Sequence, residues 1–259
     1  MALRRRDVIR GGGAAIAAGL ACPRAEAAEL TVKAVAELLS GAPGADLSHR
    51  DLARLDLSEL AFRQANLAGA DLFGADLTDA DFGGADLAGA RLDRTVIIRT
   101  NFAGANLAGA SLILPQASPG LSPSAADAPS FRGANLSRAT VMAQLGRADF
   151  RGADARGLRM SIHREQRLIR VGRNDLSGAR LAGASLVEAD LREVNLAFAD
   201  LSDADLSGAD LRRADFTGAR LGGASLAGAD LDGAILREAQ GLEHVRGLRQ
   251  ARNFAGAIL

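Results

Sequence analysis

The residue types that most often carry catalysis or bind metals are sparse in this 259-residue chain. The three histidines, His49, His163 and His244, are far apart in sequence, and none has a second ligand at metal-binding spacing. No serine, histidine and aspartate stand in an arrangement that would position a nucleophile. The single cysteine, Cys22, allows neither a disulfide framework nor a cysteine-based metal site. We therefore predict that the protein is not an enzyme and has no catalytic residues, no metal and no cofactor.

Carboxylates are the most numerous polar groups, and they recur every five residues, each directly before a large apolar residue. They stand at Asp71, Asp76, Asp81 and Asp86, and again at Asp200, Asp205, Asp210 and Asp215. If successive units stack, neighbouring carboxylates could hold a cation. The alternative is a solvated acidic wall that keeps the protein soluble. We favour the wall, because the spacing differs from the nine-residue repeat of calcium-binding β-rolls.

Charge is balanced overall, with 31 basic and 31 acidic residues, but it is unevenly distributed. Residues 45–112 hold ten acids and six arginines, and residues 174–236 hold eleven acids and five arginines, whereas residues 144–173 hold eight arginines and three acids. This basic band could bind lipid headgroups or the acidic patch of a partner. The candidate residues are Arg159, Arg164, Arg167, Arg170 and Arg173. Chance clustering is the alternative, because all but one of the basic residues are arginines.

A repeat of five residues positions these side chains. A large apolar residue occupies the centre of fourteen successive units from Leu47 to Leu112, and of thirteen more from Leu176 to Leu236. In most units alanine lies two positions before the centre, and a polar residue lies one before it. A period of five fits neither a helix nor a strand. It fits a short extended side with two inward residues, followed by a corner where glycine often supplies a positive φ.

The phenylalanines indicate how many units make one coil. Phe62, Phe82 and Phe102 recur at intervals of twenty residues, which is four units. In a four-sided coil they would lie above one another, about 4.8 Å apart, and could stack. The fifth-position residues Glu59, Asp79 and Arg99 form another such column. Because this column lacks glycine, we expect a different type of turn there.

The unit A-(D/N)-L-x-x, written here as A-N-L-A-G, A-D-L-F-G and A-D-L-T-D, resembles the pentapeptide repeat family. The resemblance covers about two-thirds of the chain. It implies an all-β fold, a right-handed quadrilateral (four-sided) β-helix solenoid. Its best-known branch, the quinolone-resistance proteins, consists of acidic rods that resemble DNA and protect topoisomerases through projecting loops.

Breaks in the repeat divide the chain. Four of the six prolines lie between Leu114 and Pro129, which we expect to form an exposed side loop, because proline donates no hydrogen bond to a ladder. The repeat resumes at Phe131 and loses one residue after Val141. From Ser161 to Arg173 it is absent, so this stretch is either an irregular coil or a second loop.

Both ends of a ladder need cover, since open strand edges aggregate. Val32, Val35, Leu38 and Leu39 have helical spacing and predict a short N-terminal capping helix. The C-terminal segment could cap the last coil or pair with a second copy of the chain as a homodimer, and we favour capping. The predicted segments are a signal peptide 1–27, a capping helix 28–44, β-helix 45–112, a side loop 113–130, degenerate coils 131–160, an irregular basic segment 161–175, β-helix 176–236 and a C-terminal cap 237–259.

The first thirty residues predict export. Arg5 and Arg6 begin a segment, R-R-D-V-I-R, that resembles the twin-arginine export motif. A short, weakly apolar stretch follows, and Ala25 and Ala27 form a small-x-small cleavage site. The apolar stretch is about half the roughly 20 residues that a membrane-spanning helix needs, so no transmembrane anchor is expected after cleavage. The predicted location is a bacterial periplasm or beyond.

These observations favour one function and leave an alternative. The favoured function is a non-catalytic exported scaffold that binds an unidentified protein or envelope partner through its faces and loops. We expect no small-molecule substrate, and the balanced net charge argues against nucleic acid as a partner. The alternative is a topoisomerase-protecting protein that mimics DNA, and it requires the protein to stay in the cytoplasm.

Overall fold

The five-residue units wind into a four-sided coil. The computed structural model describes residues 30–41, 44–120, 124–161 and 174–259. Parallel bridges join residues twenty apart, beginning with Asp46 to Asn66 and Asp51 to Asp71. Each centre N–H donates to the next coil, as Leu47 N does to Asn66 O at 2.7 Å. The predicted four-unit coil is confirmed.

Four columns of bridges define four faces, which we number by their first bridging residue. Face 1 begins at Asp46, face 2 at Asp51, face 3 at Asp56 and face 4 at Ala61. Only two extended segments exceed a single bridging residue in the described part of the chain. They are β1 (Ser111–Ile113) and β2 (Thr140–Met142), which pair in parallel on face 2.

The inward positions form one continuous apolar core. The central residue of each unit and the residue two before it are buried, as in Leu67 and Ala65, which are at most 1% exposed. A side thus contributes one large and one small residue to the interior. The largest buried side chains are five phenylalanines, and four of these belong to one column. The core is therefore long and thin.

The phenylalanine column on face 4 is longer than its first three members indicate. Phe62, Phe82, Phe102, Phe131 and Phe150 stack with ring centroids 4.5 to 5.2 Å apart and interplanar angles of at most 15°. Each such contact adds roughly 0.5–1.5 kcal/mol beyond the burial of the rings. The predicted stacking is confirmed, and it crosses the break in the repeat.

Every regular corner has one residue with positive φ, whether or not it is glycine. Glu59, Asp79 and Arg99 have φ of 60°, 58° and 54°, close to the 64° of Gly69. The expectation of a different turn type in this column is therefore wrong. The backbone turn is the same, and the polar side chains accept the strain of a left-handed conformation.

The proline-rich insertion is shorter than residues 113–130. Ile97 N donates to Gln116 O at 2.8 Å, and Arg99 N donates to Asp127 O at 2.8 Å, so both acceptors belong to the ladder. The excursion is confined to residues 118–126, of which 121–123 lie outside the described residues. Pro115 and Pro129 occupy buried inward positions. At that position an N–H bonds within its own corner rather than to the next coil, so proline breaks no ladder bond.

The second break is an insertion at one corner. Met160 ends a side on face 2, and Asp175 begins the next side on face 3, where it bridges Gln144. Asn174 is 4% exposed and joins the two ends of the insertion. Its side-chain amide donates to Met160 O, and its Oδ1 accepts from Ala143 N at 2.8 Å. Residues 162–173 lie outside the described residues.

The C-terminal segment 237–259, predicted as a cap, is a further coil. Bridges continue to Gln240, Arg246, Arg252 and Ile258, six residues apart. Each of these units has six residues instead of five, and its corner forms a short 3-10 helix. The three helices are Leu242–His244, Leu248–Gln250 and Phe254–Gly256. Gly247 begins one of them with φ of 69°, and a Cβ there would lie 2.8 Å from the Ala227 backbone. The loss of the five-residue period therefore marks a change of corner rather than the end of the ladder.

The described N-terminal residues form one helix, α1 (Val32–Gly41). Thr31 begins it, and its hydroxyl accepts from Ala34 N at 3.2 Å. Val35 is fully buried in the same apolar cluster as Leu47, and Leu39 packs against that cluster. No helix in the described part of the chain is long and apolar enough to cross a membrane.

Candidate interaction surfaces

The carboxylates that precede each apolar centre have a structural role. Asp71 Oδ1 accepts from Phe73 N at 2.9 Å, and Asp86 Oδ1 accepts from Ala88 N at 3.0 Å. These are Asx-turns, which explain why aspartate or asparagine recurs at this position. Asn106 Nδ2 in the next coil donates to Asp86 Oδ1 at 2.9 Å. Corner amides and neighbouring side chains thus engage the Oδ1 atom of these carboxylates.

The described residues include no group of three histidine, cysteine, aspartate or glutamate side chains that could hold a metal ion. The His49 ring lies over Gly69, where a Cβ would be 2.5 Å from its Nδ1. His244 Nδ1 lies 3.0 Å from Glu243 Oε1. His163 lies outside the described residues. The geometry favours the solvated wall over a cation site.

Many arginines form an ion pair with an aspartate on the same side of the coil. In the sequence D-x-R the aspartate precedes the centre and the arginine follows it, so both point outward from one face. The resulting ion pairs, with N to O distances of 2.5 to 2.7 Å, are Asp149 with Arg151, Asp154 with Arg156, Asp190 with Arg192, and Asp210 with Arg212. Exposed pairs of this kind contribute about 0–1 kcal/mol each. Their main effect is to remove charge from the surface.

Asp149 is the least exposed carboxylate of these pairs, with 18% side-chain exposure. Hydrogen bonds from the Arg151 side chain hold its pKa below the usual value, against the opposing effect of burial. The Arg151 backbone N–H also donates to it, at 3.1 Å, and Arg180 lies 3.7 Å away. Asp149 is therefore expected to be ionised at neutral pH.

Four arginines of the central coils lack an ion pair within the described residues. Arg132, Arg138, Arg147 and Arg159, which we call the central arginines, are all exposed. Arg159 donates only a long bond, 3.4 Å, to Arg138 O. They lie on different sides of the rod, Arg159 on face 2 and Arg132 on face 4. The central coils therefore carry a belt of uncompensated positive charge.

Of the predicted anion-binding residues, the structure describes Arg159 alone. Arg164, Arg167, Arg170 and Arg173 lie within residues 162–173 and so outside the described residues. The ends of that insertion are fixed. Ser161 donates its hydroxyl hydrogen to Asp190, and Arg192 Nη2 donates to Ser161 Oγ at 2.8 Å. The four arginines therefore belong to an insertion that starts and ends at the corner between faces 2 and 3.

The proline-rich insertion is anchored on the other side of face 3. Arg99 makes two hydrogen bonds to Asp79, of 2.7 and 2.6 Å, and one to Asp127 of 3.2 Å. The bonds to Asp79 contribute most to raising the pKa of Arg99. Ser124 Oγ donates to Asp127 Oδ2 at 2.7 Å, which fixes the returning end of the insertion. Both insertions thus leave the rod at corners of face 3.

One exposed residue, Phe198, was not predicted from the sequence. Phe198 occupies the corner position where glycine or a polar residue is usual, and 67% of it is exposed. The phenylalanines of the predicted column lie at the centres of their units, whereas Phe198 lies two positions after the centre Leu196. Its phase in the repeat was the signal that could have revealed it.

Together these features define a β-helical rod whose interior, in the part of the chain that the structure describes, is filled by apolar side chains. The family model for pentapeptide repeats matches residues 44–79, 75–112, 175–213 and 209–240, in eight copies, and covers just over half of the chain. The chain belongs to the pentapeptide repeat family. No curated protein matches it by sequence.

Solved structures of this family resemble the chain. HetL, involved in the regulation of heterocyst differentiation in the cyanobacterium Nostoc sp. strain PCC 7120, is 27% identical with a TM-score of 0.50, over 89% of this chain and 95% of HetL. QnrB1, a plasmid-mediated fluoroquinolone resistance protein, is 20% identical with a TM-score of 0.47, over 77% and 88%. A thylakoid-lumen protein of Arabidopsis thaliana is 27% identical with a TM-score of 0.27, over 51% and 77%. The likeness to HetL supports the fold.

The lowered pKa of Asp149 predicts a pH dependence of stability. Because the folded pKa lies below the unfolded value of about 3.9, the stabilisation is complete above that value and disappears as the pH falls through the folded pKa. Asp149→Asn should lower the stability by about 1 kcal/mol at pH 7 and by less at pH 3. Thermal unfolding at both pH values measures this difference.

Asp51→Asn is the matched control. Asp51 accepts from Ala53 N at 3.0 Å, and an asparagine retains that acceptor. No arginine is paired with Asp51 within the described residues. The control should unfold almost as the parent protein does at both pH values. An equal loss for Asp149→Asn at pH 7 and pH 3 would contradict the assigned role of the ion pair.

Proposed function

We propose that the protein is a non-catalytic scaffold, exported to the periplasm, that binds a protein or envelope partner through its faces and insertions. The observation that carries this proposal is the filled interior. Inward side chains such as Leu72 and Ala75 are fully buried, and each coil is too narrow for more than its own residues. Binding must then take place on the outer surface. A rod of stacked coils offers long faces for this purpose.

We propose that the partner presents an anionic surface to the central arginines. The central arginines are exposed and unpaired within the described residues, whereas the neighbouring coils carry mostly neutralised arginines or an excess of acids. The sequence adds Arg164, Arg167, Arg170 and Arg173 to the same part of the chain. Such a belt attracts lipid headgroups or an acidic protein patch over about a Debye length.

Export and end capping complete the proposal. Export is inferred from Arg5, Arg6, Ala25 and Ala27 in the sequence. The burial of Val35 in the apolar cluster supports α1 as the cap of the first coil.

The topoisomerase-protecting alternative is favoured by the acids of the first coils. Asp46, Asp51 and Asp56 stand on three successive faces, and arginines are fewer than acids there. A continuous DNA-like surface would be interrupted by the central arginines. This alternative also requires a cytoplasmic protein.

The anionic surface is tested with vesicles. Arg138→Gln with Arg159→Gln should weaken binding to vesicles of phosphatidylcholine and phosphatidylglycerol about tenfold or more at low salt, because each arginine near an anionic membrane contributes about 1 kcal/mol. Co-sedimentation measures the affinity. Vesicles of phosphatidylcholine alone should bind neither protein.

The matched control is Arg50→Gln with Arg54→Gln, which removes the same charge from the first coil. This pair should retain most of the binding. If both pairs lose the same affinity for the vesicles, the effect is due to net charge alone. If the central pair loses no affinity, the proposal of an anionic partner is excluded.

Export is tested by fractionating cells that express the complete gene. The protein should reach the periplasm, shortened by cleavage after Ala27. Arg5→Lys with Arg6→Lys should leave it uncleaved in the cytoplasm. An uncleaved cytoplasmic protein in both cases would exclude export and favour the topoisomerase-protecting alternative.

A further inference from the structure

Phe198 projects from the corner between faces 3 and 4. It is 67% exposed, whereas the stacked phenylalanines Phe62 and Phe131 are fully buried. Burial of an aromatic ring is a major source of folding stability, and this ring provides little of it. The residue is therefore not explained by packing within the rod.

The backbone conformation at this position is also unfavourable for a bulky residue such as phenylalanine. Its φ is 59°, in the left-handed region that glycine adopts freely and that is uncommon for bulky residues. Of the other non-glycine residues with positive φ in the described chain, all but Leu114 are polar. A strained backbone that carries an exposed apolar side chain is typical of a functional position.

The residues at the same corner position in the two neighbouring coils are glycines. Gly178 N donates to Ala197 O in one neighbouring coil, and Phe198 N donates to Thr217 O in the other. The ring extends over Gly218, where a Cβ would lie 2.6 Å from its Cε1. Gly178 and Gly218 have no side chain that could cover the ring. Phe198 therefore has no side chain beside it at this corner position in the two adjacent coils, a stretch that we call the ledge, and Arg147 lies over Gly178 beyond it.

The charges around this ledge are mixed. Asp175, Asp200 and Asp215 lie on the two adjoining faces, together with Arg180, Arg220 and Arg237. A polyanion such as nucleic acid or an anionic membrane would need a net positive surface. Mixed charge around a projecting aromatic residue is instead typical of the rim and centre of a protein interface.

We propose that Phe198 is an anchor residue for a folded protein partner that presents an apolar pocket to this corner. The pocket takes up the ring, and the flanking carboxylates and guanidinium groups meet a polar rim of both signs. The inference deepens the scaffold proposal and rests on it. This corner carries Arg147 but neither Arg138 nor Arg159, so variants at those two arginines test the anionic partner independently of Phe198.

The first test separates binding from folding. Phe198→Gly removes the ring and relieves the left-handed strain, so its melting temperature should equal or exceed that of the parent protein. The matched control is Glu188→Gly. Glu188 has φ of 57°, is exposed, and extends over Gly208 in the same way. A clear fall in melting temperature for Phe198→Gly alone would assign the ring a structural role and overturn the proposal.

The second test identifies the partner by its dependence on the ring. Detergent-solubilised envelope proteins of the source cell are the probe, applied to the immobilised parent, Phe198→Gly and Glu188→Gly proteins. Mass spectrometry should find a protein that is retained by the parent and by Glu188→Gly and lost with Phe198→Gly. If no protein shows this pattern, the proposal is overturned.

The purified partner then provides the direct measurement. Its Kd should rise at least tenfold with Phe198→Gly and stay unchanged with Glu188→Gly. The Kd should also stay unchanged with Arg138→Gln and Arg159→Gln. Failure of the Phe198 proposal is therefore distinguishable from failure of the proposed binding of an anionic partner by the central arginines. Equal affinities for all variants would overturn the proposal. A loss of binding to neutral vesicles with Phe198→Gly would overturn it in favour of membrane insertion.

Discussion

The structure depends on the narrowness of the four-sided coil. Each side has room for one large and one small inward residue, and each regular corner turns the chain through one residue of positive φ. Parallel hydrogen bonds then place every side chain directly above its counterpart in the preceding coil, about 4.8 Å away. Leucine over leucine and phenylalanine over phenylalanine follow from this stacking. In the described coils the interior is occupied by these apolar side chains, so we expect binding to take place on the outer surface.

The same stacking determines what the polar residues can do. An aspartate before each centre accepts the corner amide, and an asparagine in the next coil bonds to it, as Asn106 does to Asp86. An arginine after the centre pairs with the aspartate of its own side. Most polar chemistry of the repeat is therefore used to hold the rod together. The residues that depart from this pattern, the central arginines and Phe198, are the candidates for binding.

Much of the fold could be predicted from the sequence because its information is periodic. The period of five residues predicted a short extended side followed by a corner. The recurrence of Phe62, Phe82 and Phe102 every twenty residues predicted four sides in each coil. The predictions were less accurate where the period changes. The six-residue units after Leu236 were predicted to form a cap, and Pro115 and Pro129 were predicted to lie in a loop. These prolines fit because the inward position that they occupy donates no ladder bond.

The candidate sites were harder to predict than the fold. An excess of arginine is visible in the sequence, but which arginines lack a partner depends on stacking between coils. The column of Glu59, Asp79 and Arg99 was visible in the sequence, but the bond from Arg99 to Asp127, 28 positions further along the chain, was not, because it spans the proline-rich insertion. Phe198 could have been found from its phase alone. Its exposure follows from the glycines above and below it, which lie twenty residues away in each direction.

The central claim is that residues twenty apart lie directly above one another, and engineered disulfides measure this most directly. In a Cys22→Ser background, Ala88→Cys with Ala108→Cys places two thiols on face 1 in adjacent coils. Their Cα separation of about 4.8 Å suits a disulfide. Mass spectrometry under mild oxidation should find this pair almost fully linked, and Ala88→Cys with Ala103→Cys, on different faces, unlinked. Equal linking of the two pairs, or linking of the second pair alone, would contradict the four-sided coil.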